Sequence, residues 1–419
     1  MFVLLKQLFS PKNKDILRRV SFTLLALFIF KLGTMIQVPG TESITKNLGF
    51  LELMNAMGGG AFKQFSIFAL GVSPYISASI VTQLLQMDIV PYFSELAKQG
   101  PSGRRKINKI NRYMGIAIAF LQGYVFSFAF LPEGSGALEY MRISIILTAG
   151  TAFILWLGDQ ITQKGIGNGI SLIIMSGILM TTPTMFINAF NEMVKTTSTQ
   201  AIVMGIVSFS IFVLVYLAIV IGVIFIQQAE RRIPIQYSNK TSSAYESRQN
   251  YMPIKVNSAG VMPVIFASMV VAIPSTIAQF LKNDKLMLFV EKYLNYDTVT
   301  GFAFYMLMII FFAYFYTYMQ LNPDEMASNF QKQGGYIPGI RPGKETASYI
   351  KQILSRLTII GALFLIIIAG LPIVFSNVSN LSANITIGGT GLLIVVGVAL
   401  ETYSQLESRL LTRNYGGRW

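Results

Sequence analysis

The sequence predicts an all-α, polytopic membrane protein of about ten spans, and three observations carry that prediction. Of 419 residues, 53% are hydrophobic and only 12% are charged, against about a quarter charged in a soluble domain. Apolar runs of span length recur along the whole chain, separated by polar connections. Lys and Arg are shared unevenly between alternate connections: 25 of the 33 fall on one side and seven on the other, with Lys31 left inside a span. The richer side is the cytoplasmic one, and both termini are expected there. The net charge of +14 is therefore read as topology. Cysteine and histidine are absent, which excludes disulfides, thiol nucleophiles, histidine metal ligands and imidazole chemistry.

Taken in order, residues 1–19 carry Lys6, Lys12, Lys14, Arg18 and Arg19 against Asp15, a basic amphipathic stretch suited to the cytoplasmic interface. The apolar run 20–38 is long and lacks an A-x-A site, so a retained first span is expected at about 19–38, stopped by Pro39-Gly40. The stretch 58–85 is a broken membrane segment. Residues 51–66 contain Glu52, Lys63, Gln64 and three consecutive glycines, about 24 Å of half-polar helix that is too short and too polar to span lipid. That half is read as re-entrant. After Gly71 and Pro74 an apolar helix is expected to continue across the bilayer and to end near Pro91. Non-helical backbone at membrane depth must be buried in protein or line a watery cavity, so the break implies something hollow. The glycines are expected to keep residues 51–65 loosely folded and displaceable, so alanines at Gly58, Gly59 and Gly60 should hinder opening.

Residues 94–113 read as a polar cytoplasmic loop with six basic residues and one acid. Further spans are expected at about 114–131, 143–156, 170–190, 202–227, 261–281, 302–321, 357–375 and 387–399. Five spans fall in each half, 1–190 and 191–419, with opposite orientations. That arrangement is compatible with an inverted repeat, although the halves show no residue-level match. Two cytoplasmic connections are long enough to be functional. In 227–257, the segments IPIQY and MPIKV flank a polar tip and predict a protruding β-hairpin. In 322–354, IPGIRPG predicts a rigid turn before an amphipathic helix.

Several candidate sites are weighed against plainer readings. GIGNGIS (165–171) resembles a phosphate loop but sits between two apolar spans rather than in a βαβ unit, so a tight turn is expected. No G-x-x-x-x-G-K-[ST] is present, which assigns any ATP-driven work to a partner. Lys31 either snorkels outward or faces the bundle interior. No Asp or Glu falls at a span centre, which disfavours both an ion-coupled solute carrier and an aspartyl intramembrane protease. Ser77, Ser79, Thr82 and Gln83 on the helix after the break, and Asn257, Ser258, Ser268, Ser275 and Thr276 on or before the seventh span, are packing glue in the plain reading. Pro263 and Pro274 weaken that seventh span, which suits a moving seam.

Long motifs then bring in a resemblance. GGGAFKQFSIFALGVSPYISASIVTQLL, SGRRKINKINRY, WLGDQITQKGIGNGISLIIMSGI, QQAERRIPIQY, VNSAGVMPVIFAS, NPDEMASNFQKQGGYIPGIRPGKETASYI and GGTGLLIVVGVALE are similar to the SecY/Sec61 alpha family, the pore-forming subunits of Sec protein-conducting channels. The resemblance runs from the first span to the last. It implies a ten-span clamshell in the bacterial cytoplasmic membrane that passes unfolded secretory chains axially and releases apolar segments sideways, without enzyme activity, cofactor or metal. A plug is implied at about 51–65, including Leu51, Glu52, Met54, Gly58, Gly59, Gly60, Phe62 and Phe65. A pore ring is implied at Val72, Ile76, Ile174, Ile178, Ile265 and Ile394, where aliphatic side chains offer ions no ligands and gate by dewetting. A lateral gate is implied around Ser77, Ile80, Thr82, Gln83, Asn257 and Ser268, with Ile80 expected to face the region of Ser268. The implied partners are the small subunits SecE and SecG, the SecA ATPase, the ribosome with its RNA, signal peptides and nascent chains, and lipid. Docking is implied at Arg231, Arg232, Arg248, Arg341, Lys344, Arg104 and Arg105. Val72 and Met262 stand where other members carry isoleucine, and the tail after Glu401 is short.

Overall fold

A computed structural model describes residues 14–41, 52–86, 90–131, 136–194, 199–237, 251–281, 284–294, 298–379 and 388–416. Helix α1, Lys14–Thr34, has Asp15 in its first turn and Lys31 in its last, the polarity that the helix dipole favours. It buries Ala26, Phe30 and Gly33 and turns Leu24, Leu25 and Phe28 outward, as expected of a helix whose outer solvent is lipid. Helix α2, Glu52–Met57, is followed by turns through residue 72 and then by α3, Ser73–Leu85. Pro74 sits in the first turn of α3, where its missing N–H costs nothing. This helix is shorter than expected: 13 residues give about 20 Å, and it stops well before Pro91.

The polar stretch 94–113 is not a loop. It forms α4, Pro91–Lys98, and the first third of α5, Pro101–Phe130. Arg and Lys are good helix formers, each helix opens on a proline, and charge alone does not break a helix that leaves the membrane. Helix α6, Ala137–Lys164, packs along α5, where the Ser144 hydroxyl donates to the Phe120 carbonyl at 2.6 Å and Arg112 pairs with Asp159. GIGNGIS is a tight turn into α7, Gly169–Met193: Gly167 has φ +83°, and Asn168 caps the helix by accepting from the Ile170 amide at 3.2 Å. Pro183 lies inside α7. Helix α8, Thr199–Gln228, exposes Met204, Leu214, Ile221 and Phe225.

The hairpin forms with a shifted register. Strand β1, Glu230–Pro234, pairs antiparallel with β3, Tyr251–Lys255, from Glu230 opposite Lys255 to Pro234 opposite Tyr251. The end of IPIQY leaves the hairpin: β2, Gln236–Tyr237, pairs with β4, Gly335–Tyr336, from the second long connection. Helix α9, Met262–Leu281, opens on Pro263, so only Pro274 interrupts it. There follow α10, Asp284–Tyr293, which the sequence reading did not anticipate, and α11, Val299–Gln320. Helix α12, Pro323–Lys332, is capped by Asn322. Helix α13, Lys344–Ser379, is one 36-residue rod in which the amphipathic helix and the ninth expected span are continuous. Helix α14, Gly388–Gly416, carries the tail onward.

Among the described residues, α6, α7, α8, α11 and α13 carry the five runs long and apolar enough to cross a membrane. One buried apolar cluster extends from Ala26 and Phe30 of α1 through α3, α5, α6, α7 and α9 to Leu393 and Ile394 of α14. A separate cluster joins Ile233, Ile254, Ile337, Ile350 and Leu354. Together with the β2–β4 pairing it makes the two long connections a single body seated on the first turns of α13.

Candidate functional site

The break between α2 and α3 is built by backbone chemistry. Helix α2 ends in a left-handed turn, with Gly59 at φ +69° and Gly60 at φ +84°. Their amides donate to the carbonyls of Ala56 at 3.0 Å and Asn55 at 2.8 Å, which satisfies the helix end as a glycine C-cap does. The Asn55 side-chain oxygen then accepts from the Lys63 amide at 2.9 Å. The Phe62 ring meets Phe126 and Phe130 edge-on at 5.1 and 5.5 Å, and Phe65 stacks on Phe130. The Val38 amide donates to the Phe65 carbonyl at 3.0 Å, and the Ile67 amide donates to that of Ile36 at 2.9 Å.

The expectation of a loosely folded segment is therefore corrected. The glycines define a turn and a close approach, and residues 58–72 are pinned to α1 and α5. The partner for the approach is Gly177 of α7, where an added Cβ would lie 2.2 Å from the Met57 carbonyl oxygen. Leu51 lies outside the described residues, and the side chains of Glu52 and Met54 are not described.

Val72, Ile76, Ile174, Ile178, Ile265 and Ile394 come from the α2–α3 turn and from α3, α7, α9 and α14. All six are at least nine-tenths buried, and all belong to the same apolar cluster as Met57 and Phe62. Helix α3 packs on α9, and α9 also touches α5. At that seam the Ser73 hydroxyl approaches the Met269 sulfur at 3.5 Å. The other polar groups expected there bond within their own elements. Ser77 donates to the Ser73 carbonyl, Thr82 to that of Ala78 and Ser268 to that of Ile265. Asn257 donates to the Gly260 carbonyl, and the Gln83 amide donates to the Ser79 hydroxyl at 3.1 Å. The side chains of Ser275 and Thr276 are not described. With Ser73 level with Met269, Ile80 lies about 10 Å farther along α3 from that contact. What the described residues show at the seam is apolar contact and one weak sulfur contact, with the Gln83 side-chain oxygen buried and without a hydrogen-bond partner among the described residues, so parting the junction breaks no strong polar bond across it.

Beside Ile178 a cavity of about 320 Å³ opens between α1, the turn after α2, α7, α8 and α14. Its lining includes Lys31, Asn55, Lys63, Gln64, Asn188 and Tyr216. Lys31 thus faces the bundle interior, one of the two placements the sequence left open.

On the body made by the long connections, Arg231, Arg232, Arg341 and Lys344 are exposed. Arg232 pairs with Glu230 at 2.8 Å and lies over the Tyr251 ring. The Arg341 backbone carbonyl accepts from the Thr346 hydroxyl at 2.9 Å, which fixes the loop while the guanidinium forms no ion pair among the described residues. Tyr336 donates to the Gln236 side chain at 2.9 Å, locking the two connections together. Arg104 and Arg105 are exposed in the first turns of α5, and Arg248 lies outside the described residues. Sequence reasoning missed Gly177, Gly361 and the β2–β4 pair. At Gly361 of α13 an added Cβ would meet the Val256 carbonyl at 2.9 Å, so this glycine seats the base of the hairpin. A glycine inside an apolar run is the one signal available for either position, and it does not name the partner.

The SecY family model matches residues 66–403. The chain belongs to the SecY family. That family comprises channel subunits rather than enzymes. Among its members, Protein translocase subunit SecY of Bacillus subtilis (strain 168) is 47% identical over 416 residues, covering 96% of each chain. The protein of the same name from Staphylococcus aureus (strain NCTC 8325 / PS 47) is 45% identical over 423 residues, covering 97% of each. Two solved structures share the fold with TM-scores of 0.67 at 17% identity, each covering 96% of this chain and 94% of the other: a protein-conducting channel, and Sec61 in the canine ribosome-channel complex from the endoplasmic reticulum. A SecY structure described by a plug domain that stabilises the closed state has a TM-score of 0.64 at 18% identity.

Proposed function

We propose that this SecY-family chain is the pore-forming subunit of a bacterial protein-conducting channel. In this reading α1, α3, α5, α6 and α7 are spans one to five of an N-terminal half (1–190). Helices α8, α9, α11, α13 and α14 are spans six to ten of an inverted C-terminal half (191–419), with both termini cytoplasmic. Residues 51–65 are the plug, and the six aliphatic residues led by Val72 and Ile178 are the ring that closes on it. The seam of α3 and α5 against α9 and α11 is the gate through which signal peptides and membrane segments leave for lipid.

Energy comes from SecA or a translating ribosome docked on the exposed arginines of the hairpin and the Arg341 loop, with Arg104 and Arg105 beside it. The basic surface also suits ribosomal RNA, and SecE and SecG complete the complex. The observation that supports this reading is the broken segment itself: irregular backbone between two helices, in one buried apolar cluster with aliphatic side chains of α3, α7, α9 and α14. A solute carrier would need a coupling carboxylate at mid-span, and a ring of Val and Ile offers a small solute no ligand.

The chain is free of cysteine, so a staple between Ser73→Cys and Met269→Cys tests the gate cleanly. Oxidised, it should abolish export of a signal-peptide-bearing substrate, and reduction should restore it. Full export through a quantitatively oxidised pair contradicts the gate.

A further inference from the structure

The cavity beside Ile178 carries charge that a channel for neutral backbone does not explain. Two ammonium groups, Lys31 from α1 and Lys63 from the turn after α2, line one space of about 320 Å³. Neither forms an ion pair among the described residues, and no described carboxylate lines the cavity. The remaining polar lining is neutral: Gln64 and Asn188 carry amide donors and Tyr216 a hydroxyl bonded to Thr182, while the Thr181, Thr182 and Thr184 hydroxyls donate to backbone carbonyls and the Asn55 side-chain oxygen accepts from the Lys63 amide. Such a volume exceeds by far what one water needs. Two like charges lining one cavity repel each other, and an anion between them reverses the sign of that interaction.

We propose that this cavity is an anion site, taking a small oxyanion or a carboxylate, and that its occupant clamps the segment 52–65 in its seat. Lys63 and Gln64 belong to the segment that would move. Lys31, Asn188 and Tyr216 belong to α1, α7 and α8, the frame it would leave. A single anion bonded to both groups ties the segment to the frame, and withdrawal of the segment strips the site of Lys63. The ligand therefore binds the seated form better and stabilises it by mass action. The same chemistry has two sources, a free anion in the outer medium or an Asp or Glu side chain of a polypeptide in the channel. The functional consequence rests on the reading of 51–65 as a plug, whereas the site itself does not.

The test uses the purified full chain in neutral detergent, with no motor and no substrate. Met57 is 4% exposed, so in Met57→Cys maleimide labelling reports withdrawal of the segment. Phosphate at ten times its Kd should slow labelling about tenfold relative to chloride of equal ionic strength, while labelling of an exposed Ser102→Cys control stays constant. Lys31→Gln and Lys63→Gln should each remove the phosphate effect, and Lys31→Arg and Lys63→Arg should keep it. The arginine variants, with thermal unfolding of all four, separate loss of charge from loss of fold. In phosphate-free buffer a glutamate-rich peptide gives the same protection if the source is a chain carboxylate, and none if only the free anion fits. Unchanged wild-type labelling in both phosphate and peptide overturns the proposal, as does an equal effect in the glutamine variants. The test measures no translocation, so its outcome decides the anion site alone, while the channel reading is decided separately by export through the stapled and reduced seam.

Discussion

A single methyl group at Gly177 should unseat the segment 52–65, the proposed plug. The Cβ of Gly177→Ala would lie 2.2 Å from the Met57 carbonyl oxygen, 2.8 Å from its carbon and 2.9 Å from the Gly59 nitrogen. All three are backbone atoms, so no side-chain rotation relieves the clash. Ordinary C···O contact needs about 3.3–3.6 Å, so α2 must retreat by about 1 Å from α7. Overpacking of this kind costs about 1–3 kcal/mol, which corresponds to a roughly 5- to 150-fold shift from the seated toward the withdrawn form. Alanine is meanwhile a better helix former than glycine by about 1 kcal/mol, so α7 itself is not weakened. Ion leak through reconstituted vesicles at rest, measured per channel, should rise within that range, with unfolding temperature unchanged or raised. An unchanged leak with a folded α7 would show that contact between Met57 and Gly177 does not hold the channel shut.

Replacing Gly59 and Gly60 by alanine should also raise the leak, because each alanine would be held at positive φ at about 1–2 kcal/mol; a tighter channel would restore the earlier idea that the glycines only loosen the segment. Arg341→Glu should reduce SecA-driven translocation by about an order of magnitude, since charge-assisted contacts contribute roughly 1.5–3 kcal/mol. Its subunit assembly should be intact, and translocation at the wild-type rate would remove Arg341 from the docking surface.

Many of the helices were legible in the sequence because long apolar runs stand out in composition. The apolar runs and the proline-glycine breaks located nearly every long helix, and the hairpin followed from IPIQY and MPIKV. The ends of helices were less legible. The basic stretch containing Arg104 and Arg105 reads as a loop by polarity and folds as helix, because a charged helix leaving the bilayer looks like a loop to any hydropathy argument. Lys344 likewise begins the same rod that contains the ninth expected span. What sequence could not give is who meets whom. Gly177 against Met57, Gly361 against Val256, Tyr336 against Gln236 and the shared cavity of Lys31 and Lys63 are long-range approaches, and one-dimensional spacing carries no signal for them. The contact of Ser73 with Met269 has the same origin, since the register between two packed helices depends on which side chains interlock.

The central claim is that this chain conducts polypeptide, and it is tested most directly by reconstitution. The purified chain, with SecE and SecG subunits in sealed vesicles, should with SecA and ATP carry an unfolded signal-bearing substrate into the lumen. The transported chain should become protease-resistant until detergent is added, and oxidation of the Ser73→Cys/Met269→Cys pair should abolish that resistance. Vesicles that hold the assembled complex and yield no protected substrate, or that protect it equally with the seam stapled, would contradict the account.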